Sequence, residues 1–415
     1  MENRSLNRTF ENASLRYSRS DFLKYIWEIA RLIVPLYVEK KRSNMSKQPH
    51  FPACFVELPL ETEGRRAAFY LAAEEYIAER LPEGSYFFTW QTGPTVVMGR
   101  NQVAHQEVDL DFCRREGIDV IRRRSGGGAI FADERNIMTS LVTEDGPVEE
   151  LFREYAEAVA QALRRLGAPA FVSGRNDIVL SSLHSPLPSL PRGNASKALA
   201  LGSAATVGKA GVESATLHQG KVCGNAFYHK THRCIAHGTM LYDTNPRLME
   251  GALHPDVSKL EQKGVKSVRS RVSLLKDYLP FGVGELRQQL RQLLTDRTVC
   301  LTSEEVCHIE HLEQRYYEPA YFYGSSAHSD AIRSRRIEGC GLLELCFSLQ
   351  GSLITDVQLR GDFFDLGQAQ ERFSQTLVGR AFTPESMGQA VRDQHPERNI
   401  RGLSEESLTL LLHGD

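Results

Sequence analysis

Residues 118–131 read Ile118-Asp119-Val120-Ile121-Arg122-Arg123-Arg124-Ser125-Gly126-Gly127-Gly128-Ala129-Ile130-Phe131. Two stretches of strand character flank three arginines, a serine and three glycines. Consecutive glycines add no side-chain packing and lose the most backbone entropy on ordering, so they do not reinforce a strand. They do let the main chain come close to a ligand and aim successive N–H groups at it. Guanidinium forks just upstream favour an anion as that ligand. A bent hairpin on a basic surface reads equally well from these residues alone.

Three more segments decide between the two. Gly174-Arg175-Asn176-Asp177 precedes Ile178-Val179-Leu180, Lys221-Val222-Cys223-Gly224-Asn225-Ala226 runs into Phe227-Tyr228, and His237-Gly238-Thr239-Met240-Leu241 follows a short turn. Taken with the glycine loop, these resemble the lipoate–protein ligase A family, whose pattern is RRxSGGGA, GRND, K-[IV]-x-G-[NS]-A and HGT-[LM]-L in that order. The resemblance runs from Phe55 to the C-terminus. It implies an α+β fold of the biotin/lipoate ligase type, shared with biotin ligases and class II aminoacyl-tRNA synthetases: a mixed-sheet catalytic domain followed by a small α+β C-terminal domain.

Bulk properties agree with a globular chain. Its 415 residues suffice for one large and one small domain. A net charge of -2 offers no field for nucleic acid or an anionic membrane. The eight cysteines show no CxxC and no paired zinc-type spacing, so they read as buried thiols in a reducing cytosol. Cys307 and His311 lie four apart on an expected helix, but two ligands do not make a metal site. Phe22 to Val38 is apolar in places, yet Lys24, Glu28 and Arg31 interrupt it, and it is too short and charged to span a bilayer. Residues 1–44 therefore read as an appended leader, with Met45 an alternative start.

Glu61 to Arg80 has helical spacing, and so has Val148 to Leu166, where Leu151, Tyr155, Val159 and Leu163 fall on one face. Tyr86–Trp90 and Thr95–Met98, separated by Gly93-Pro94, read as paired strands. Asn136–Val142, Asp177–Leu180, Lys221–Tyr228 and Cys234–Tyr242 read as further strands. Strands without strict helical alternation give an α+β pattern. The Ser-, Ala-, Gly- and Pro-rich tract 181–220 reads as an inserted loop. Within it Gly202 to Ala210 mimics a phosphate-binding loop, but the glycines are one residue too far apart and Ala210 replaces the required hydroxyl. The expected units are thus 1–44, a catalytic domain 45–298, and a C-terminal domain 299–415 built on a helix 303–316, a hairpin around Gly351 and three more helices.

The resemblance implies a chemistry. The lipoate carboxylate attacks the α-phosphate of ATP, and an acceptor lysine then displaces AMP. That reaction needs aligned anions and charge neutralisation rather than a side-chain nucleophile. By match to the motifs, Lys221 and Arg123 are the expected catalytic residues, Lys221 on the α-phosphate and the Arg123 fork on the carboxylate or adenylate. Ser125, Gly126, Gly127, Gly128, Ala129 and Ile130 would wrap the acyl chain and phosphate, with Asn136, Asn176, Asp177 and His237 beside the adenylate. Asp177 is the expected Mg²⁺ ligand, and ATP with Mg²⁺ the only cofactors, with no tightly bound prosthetic group. Arg135 stands where the family usually has glycine (Asp133-Glu134-Arg135-Asn136). Leu253 to Asp256 and Lys263 to Val272 resemble the loop that closes over the adenylate. By strand alternation Cys223 would share a face with Lys221. The expected partners are lipoyl domains of 2-oxoacid dehydrogenases and the glycine-cleavage H protein, with no nucleic acid or membrane, for a cytoplasmic monomer. The alternatives are an ATP-independent octanoyl or lipoyl transferase of the same fold, and a non-catalytic binder.

Overall fold

The computed structural model describes residues 51–415 except 60, 61, 63, 174–176, 182–218, 231, 255–271, 324–328 and 415. The expected leader, the insert apart from its ends in β8 and β9, Gly174 to Asn176 and most of the closing loop lie outside the described residues.

An eight-stranded mixed sheet forms the frame, in the order β11-β1-β2-β6-β10-β9-β8-β7. Its strands are β1 (Ala53–Glu57), β2 (Tyr86–Trp90), β6 (Asn136–Glu144), β7 (Ala170–Ser173), β8 (Asp177–Ser181), β9 (Gln219–Lys230), β10 (Arg233–Leu241) and β11 (Thr295–Cys300). β1 is parallel to both its neighbours; the other pairs are antiparallel. Central β10 is buried along its whole length between its two partner strands. The α+β fold expected from the sequence is the one observed.

Helix α1 (Ala67–Arg80) is buried at every position from Ala67 to Ala78. Sheet residues such as Trp90 and Met138 pack in the same core as α1, together with Val306 and Ile309 of α4 (Ser303–Glu313). Burying Phe69, Leu71 and Ile77 there contributes about 1.5–3 kcal/mol apiece. A second core holds α2 (Val148–Arg165) and α3 (Val283–Leu294). In α2 the buried stripe is Phe152, Tyr155, Val159 and Leu163; Leu151 sits at its edge, half-buried.

Two sequence expectations change. Tyr86–Trp90 and Thr95–Met98 do not pair: β3 (Thr95–Met98) leaves the main sheet for a three-stranded one, between β4 (Asp119–Arg122) and β5 (Ile130–Ala132). The expected domain boundary at 298/299 falls inside β11, which pairs with β1. Leu301, Val306, Ile309 and Tyr316 belong to the core around α1, so the 303–316 helix is part of the large unit. Thr302 starts it with a capping box, its Oγ1 accepting from Glu305 N while the Glu305 carboxylate accepts from Thr302 N.

The C-terminal sheet is β12-β13-β14, from Ala331–Ile337, Gly341–Gln350 and Leu353–Gly361. The helices α5 (Ala369–Leu377), α6 (Pro384–Gln394) and α7 (Glu405–His413) complete its own core around Phe347, Phe373 and Leu408. No helix among the described residues is long and apolar enough to cross a membrane.

Candidate active site

The three arginines that open the glycine loop all bind the protein itself. Arg122 donates to the carbonyls of Phe322, Gly99, Arg100 and Gln102. Arg124 forms an ion pair with Glu75, Nε to Oε1 2.7 Å. Arg123 is buried, and its guanidinium donates to Ser125 Oγ (2.8 Å) and to the carbonyls of Val97, Gly126 and Gly128 at 2.7–2.9 Å. Burial pulls its pKa down to about 10. The fork expected to grip a substrate carboxylate instead shapes the loop, because a rigid planar donor set matches converging carbonyls as well as it matches an anion.

The glycines are equally committed. Gly127 N donates to Phe363 O (3.2 Å), and a Cβ on Gly126 would lie 2.4 Å from that same oxygen. Gly127, at φ +87°, lies against the Phe364 ring, which stacks on Phe227 with centroids 5.8 Å apart. The close approach that the glycines permit is thus used by Phe363 and Phe364, just after β14 in the C-terminal unit. Ala129 is half-buried, and Ile130 begins β5.

Ser125 carries the loop into the interior. Its Oγ is 2.7 Å from His237 Nε2, and His237 Nδ1 is 3.0 Å from Glu74 Oε2. Ser140 Oγ donates to Glu74 Oε1 (2.6 Å), and Trp90 Nε1 donates to Ser140 Oγ (3.0 Å). With a neutral imidazole, Glu74 holds the proton on Nδ1 and leaves Nε2 to accept from Ser125. The Ser–His–Glu order matches a hydrolytic triad. Ser125 is nevertheless fully buried and already accepts from Arg123, so the network positions the loop rather than arming a nucleophile.

A bulge directs Lys221, which is half-buried. Between β8 and β9 the register shifts at Ile178/Val179: Ile178 faces Cys223 while Val179 faces Lys221, skipping Val222. The shift breaks the alternation that would have put Lys221 beside Cys223. Lys221 instead lies across Gly224, its Nζ 2.6 Å from where a Cβ on that glycine would sit, and 2.8 Å from Asp177 Oδ1. Gly224 is opposite both Asp177 and Thr239, and Thr239 is two residues from His237. By the two-residue period of a strand, Lys221, Asp177 and His237 share one face of the sheet. Cys223 points the other way, fully buried, with its thiol pushed up to about 12 by that burial.

Asn136 sits in a turn pinned by Asp133, whose Oδ1 accepts from Arg135 N and Asn136 Nδ2 and whose Oδ2 accepts from Asn245 N. Burial raises the Asp133 pKa above the usual range. Arg135 is not among the residues with positive φ, so the arginine fits where the family has glycine without a left-handed backbone. Asn136 thus serves the turn and starts β6.

Sequence reasoning missed Glu74 and Glu75. Glu75 is fully buried and meets Arg124, Lys230, Arg315 (3.1 Å) and the Tyr316 hydroxyl (2.6 Å). Burial works against its charge, but Arg124, Lys230 and Tyr316 outweigh it and hold its carboxyl below the ordinary range. The available signal was a pair of acids within an otherwise apolar Ala72-Ala73-Glu74-Glu75-Tyr76-Ile77 helix.

Comparisons with known proteins bear on this arrangement. Residues 66–295 match the lipoyl protein ligase A/B catalytic domain, and residues 326–412 match the bacterial lipoate protein ligase C-terminus. Lipoate-protein ligase LplJ of Bacillus subtilis is 30% identical over 324 residues, covering 75% of this chain and 86% of that protein. Lipoate–protein ligase 1 of Staphylococcus aureus is 29% identical over 318 residues, covering 74% and 85%. Among solved structures, LipL1 of P. falciparum in complex with lipoate superposes with a TM-score of 0.63 at 14% identity, over 86% of this chain and 99% of that one. The match over the sheet, the loop and the C-terminal unit together places the chain in the lipoate–protein ligase A family, with that family's C-terminal domain.

Proposed function

We propose that this protein activates lipoate with ATP to lipoyl-AMP and transfers the lipoyl group to a lysine of a lipoyl acceptor domain. The observation that carries the reading is the Lys221 ammonium, laid over Gly224 beside Asp177 on the face of the sheet that also carries His237. Attack of a carboxylate on the α-phosphate gathers negative charge, and a pre-placed ammonium stabilises that transition state beyond the ground state. Arg123, Ser125, His237 and Glu74 keep the loop in one shape, so little reorganisation is needed when substrate arrives.

Mg²⁺ would come with the nucleotide. Asp177 Oδ1 is buried and ion-paired with Lys221 at 2.8 Å, and a carboxylate has further lone pairs that a nucleotide-bound cation would use. One carboxylate suits a magnesium held mainly by phosphates and water. When bound, the ion would neutralise phosphate charge. Candidate acceptors are the lipoyl domains of 2-oxoacid dehydrogenases and the glycine-cleavage H protein. A related archaeal ligase is known with its E2 lipoyl domain.

The transferase alternative loses its nearest nucleophile, since Cys223 is a buried thiol rather than a thiolate. Lipoate-dependent exchange of labelled pyrophosphate into ATP separates the readings. Exchange is expected from the wild type, with Cys223→Ala retaining it. Lipoyl transfer without ATP and without exchange would overturn the ligase.

A further inference from the structure

The C-terminal unit holds a group of side chains unrelated to the sheet site. We propose that His395, Glu397 and Glu405 form a binding site for a divalent transition-metal ion of the zinc class.

Three segments meet there. His395 ends α6, Glu397 lies in the 3-10 turn Pro396–Asn399, and Glu405 opens α7 after its Ser404 cap. One nitrogen or oxygen from each of the three lies within 4.8 Å of the others. His395 Nδ1 is 3.2 Å from Glu397 Oε1 and 3.6 Å from Glu405 Oε2. The contact with Glu397 is within hydrogen-bond reach, whereas the one with Glu405 is too long for a hydrogen bond. Ligands bound at about 2.0–2.2 Å in a tetrahedron stand roughly 3.4 Å apart. The spacing suits three ligands arranged round an ion.

A second observation is independent of that spacing. The Glu397 side chain is only 7% exposed, and its Oε2 is sealed from solvent without any hydrogen-bond partner. Its Oε1 has His395, and Arg398 Nε at 3.9 Å. A buried carboxylate oxygen left unpaired is costly, and a cation shared by both oxygens would remove that cost. His395 is the left-handed C-cap of α6, at φ +51°, and its imidazole lies beside the two acids. One imidazole and two carboxylates balance a divalent charge. They form a nitrogen–oxygen set that suits zinc and its neighbours. His395 and Glu405 are partly exposed, which gives the ion a way in and leaves room for a water at the open position.

The test uses the full chain stripped with chelator and titrated with Zn²⁺ by calorimetry, alongside thermal unfolding. One ion per chain is expected to bind and raise Tm. His395→Ala and Glu405→Gln should each weaken binding at least about tenfold, the loss typical of even an outer-shell partner. Both replaced positions are partly exposed, so the variants should fold even if Glu397 cannot be changed. Substitution with Co²⁺ should give a spectrum of nitrogen and oxygen ligands without thiolate charge transfer, and Cys300→Ser with Cys307→Ser should bind as the wild type does. Lipoate-dependent pyrophosphate exchange should be the same with and without the ion. Equal affinity in the His395 and Glu405 variants, or a thiolate signature, would overturn the proposal.

Discussion

Lys221 Nζ lies 2.6 Å from the position a Cβ would take on Gly224, so the glycine is the floor on which the ammonium rests. The two residues are brought to one face by the bulge at Val222. Gly224→Ala should push the flexible end of the lysine away from Asp177 while leaving the strand intact. Pyrophosphate exchange is expected to fall about tenfold, or roughly 1.4 kcal/mol of transition-state stabilisation. Lys221→Ala should lose about 10² to 10³. Supplied with synthetic lipoyl-adenylate, the Lys221 variant should recover a larger share of transfer. An alanine at 224 with wild-type exchange would show that the lysine works from another position.

Arg123→Lys is expected to act on the fold before the chemistry. The guanidinium satisfies Ser125 Oγ and three carbonyls at once. A lysine offers three rotatable donors from a single point and leaves buried acceptors unpaired, each at about 1–3 kcal/mol. Urea unfolding should show a loss of about 2–3 kcal/mol. Arg124→Lys, partly exposed and meeting one carboxylate, should cost less. Equal losses at the two positions would contradict the assignment.

Glu75 sets an acid limit. Its carboxyl is held below the ordinary range in the folded state, so the folded protein binds fewer protons there than the unfolded chain. The resulting stability is fully present above the unfolded pKa of about 4.3 and is lost as pH falls through the lower folded value. Glu75→Gln should therefore destabilise at pH 7 by up to about 3 kcal/mol, discounted because Arg124 and Arg315 reach solvent. The gap from wild type should close below about pH 4. Thermal unfolding of both proteins across pH 3–8 measures it, and a constant gap would refute the linkage.

Gly126→Ala tests the hold of the glycine loop on the C-terminal unit. The added methyl would meet Phe363 O at 2.4 Å and Phe364 Cα at 3.3 Å, both backbone atoms that cannot swing aside. Faster hydrogen exchange and proteolysis near residues 361–366 are expected, while the cores around α1 and β13 stay protected. Phe364→Ala should loosen the same segment by removing the ring stacked on Phe227. Unchanged protection in both variants would mean the contact contributes little.

Local chemistry determined much of this protein. Apolar periodicity marked Val148–Arg165, and turn residues bounded β9 and β10. Motif order in one chain was enough to identify the family. Which partner each strand took was decided by tertiary structure, because pairing energy depends on residues distant in sequence: β3 left β2 for β4 and β5, and β11 closed on β1. The direction of side chains at Lys221 and Cys223 depended on a bulge that alternation cannot foresee. Arg123 shows the limit most plainly. Its residue type announced a planar donor fork, but whether that fork met an anion or four protein oxygens depended on where Val97, Ser125, Gly126 and Gly128 placed their acceptors in space.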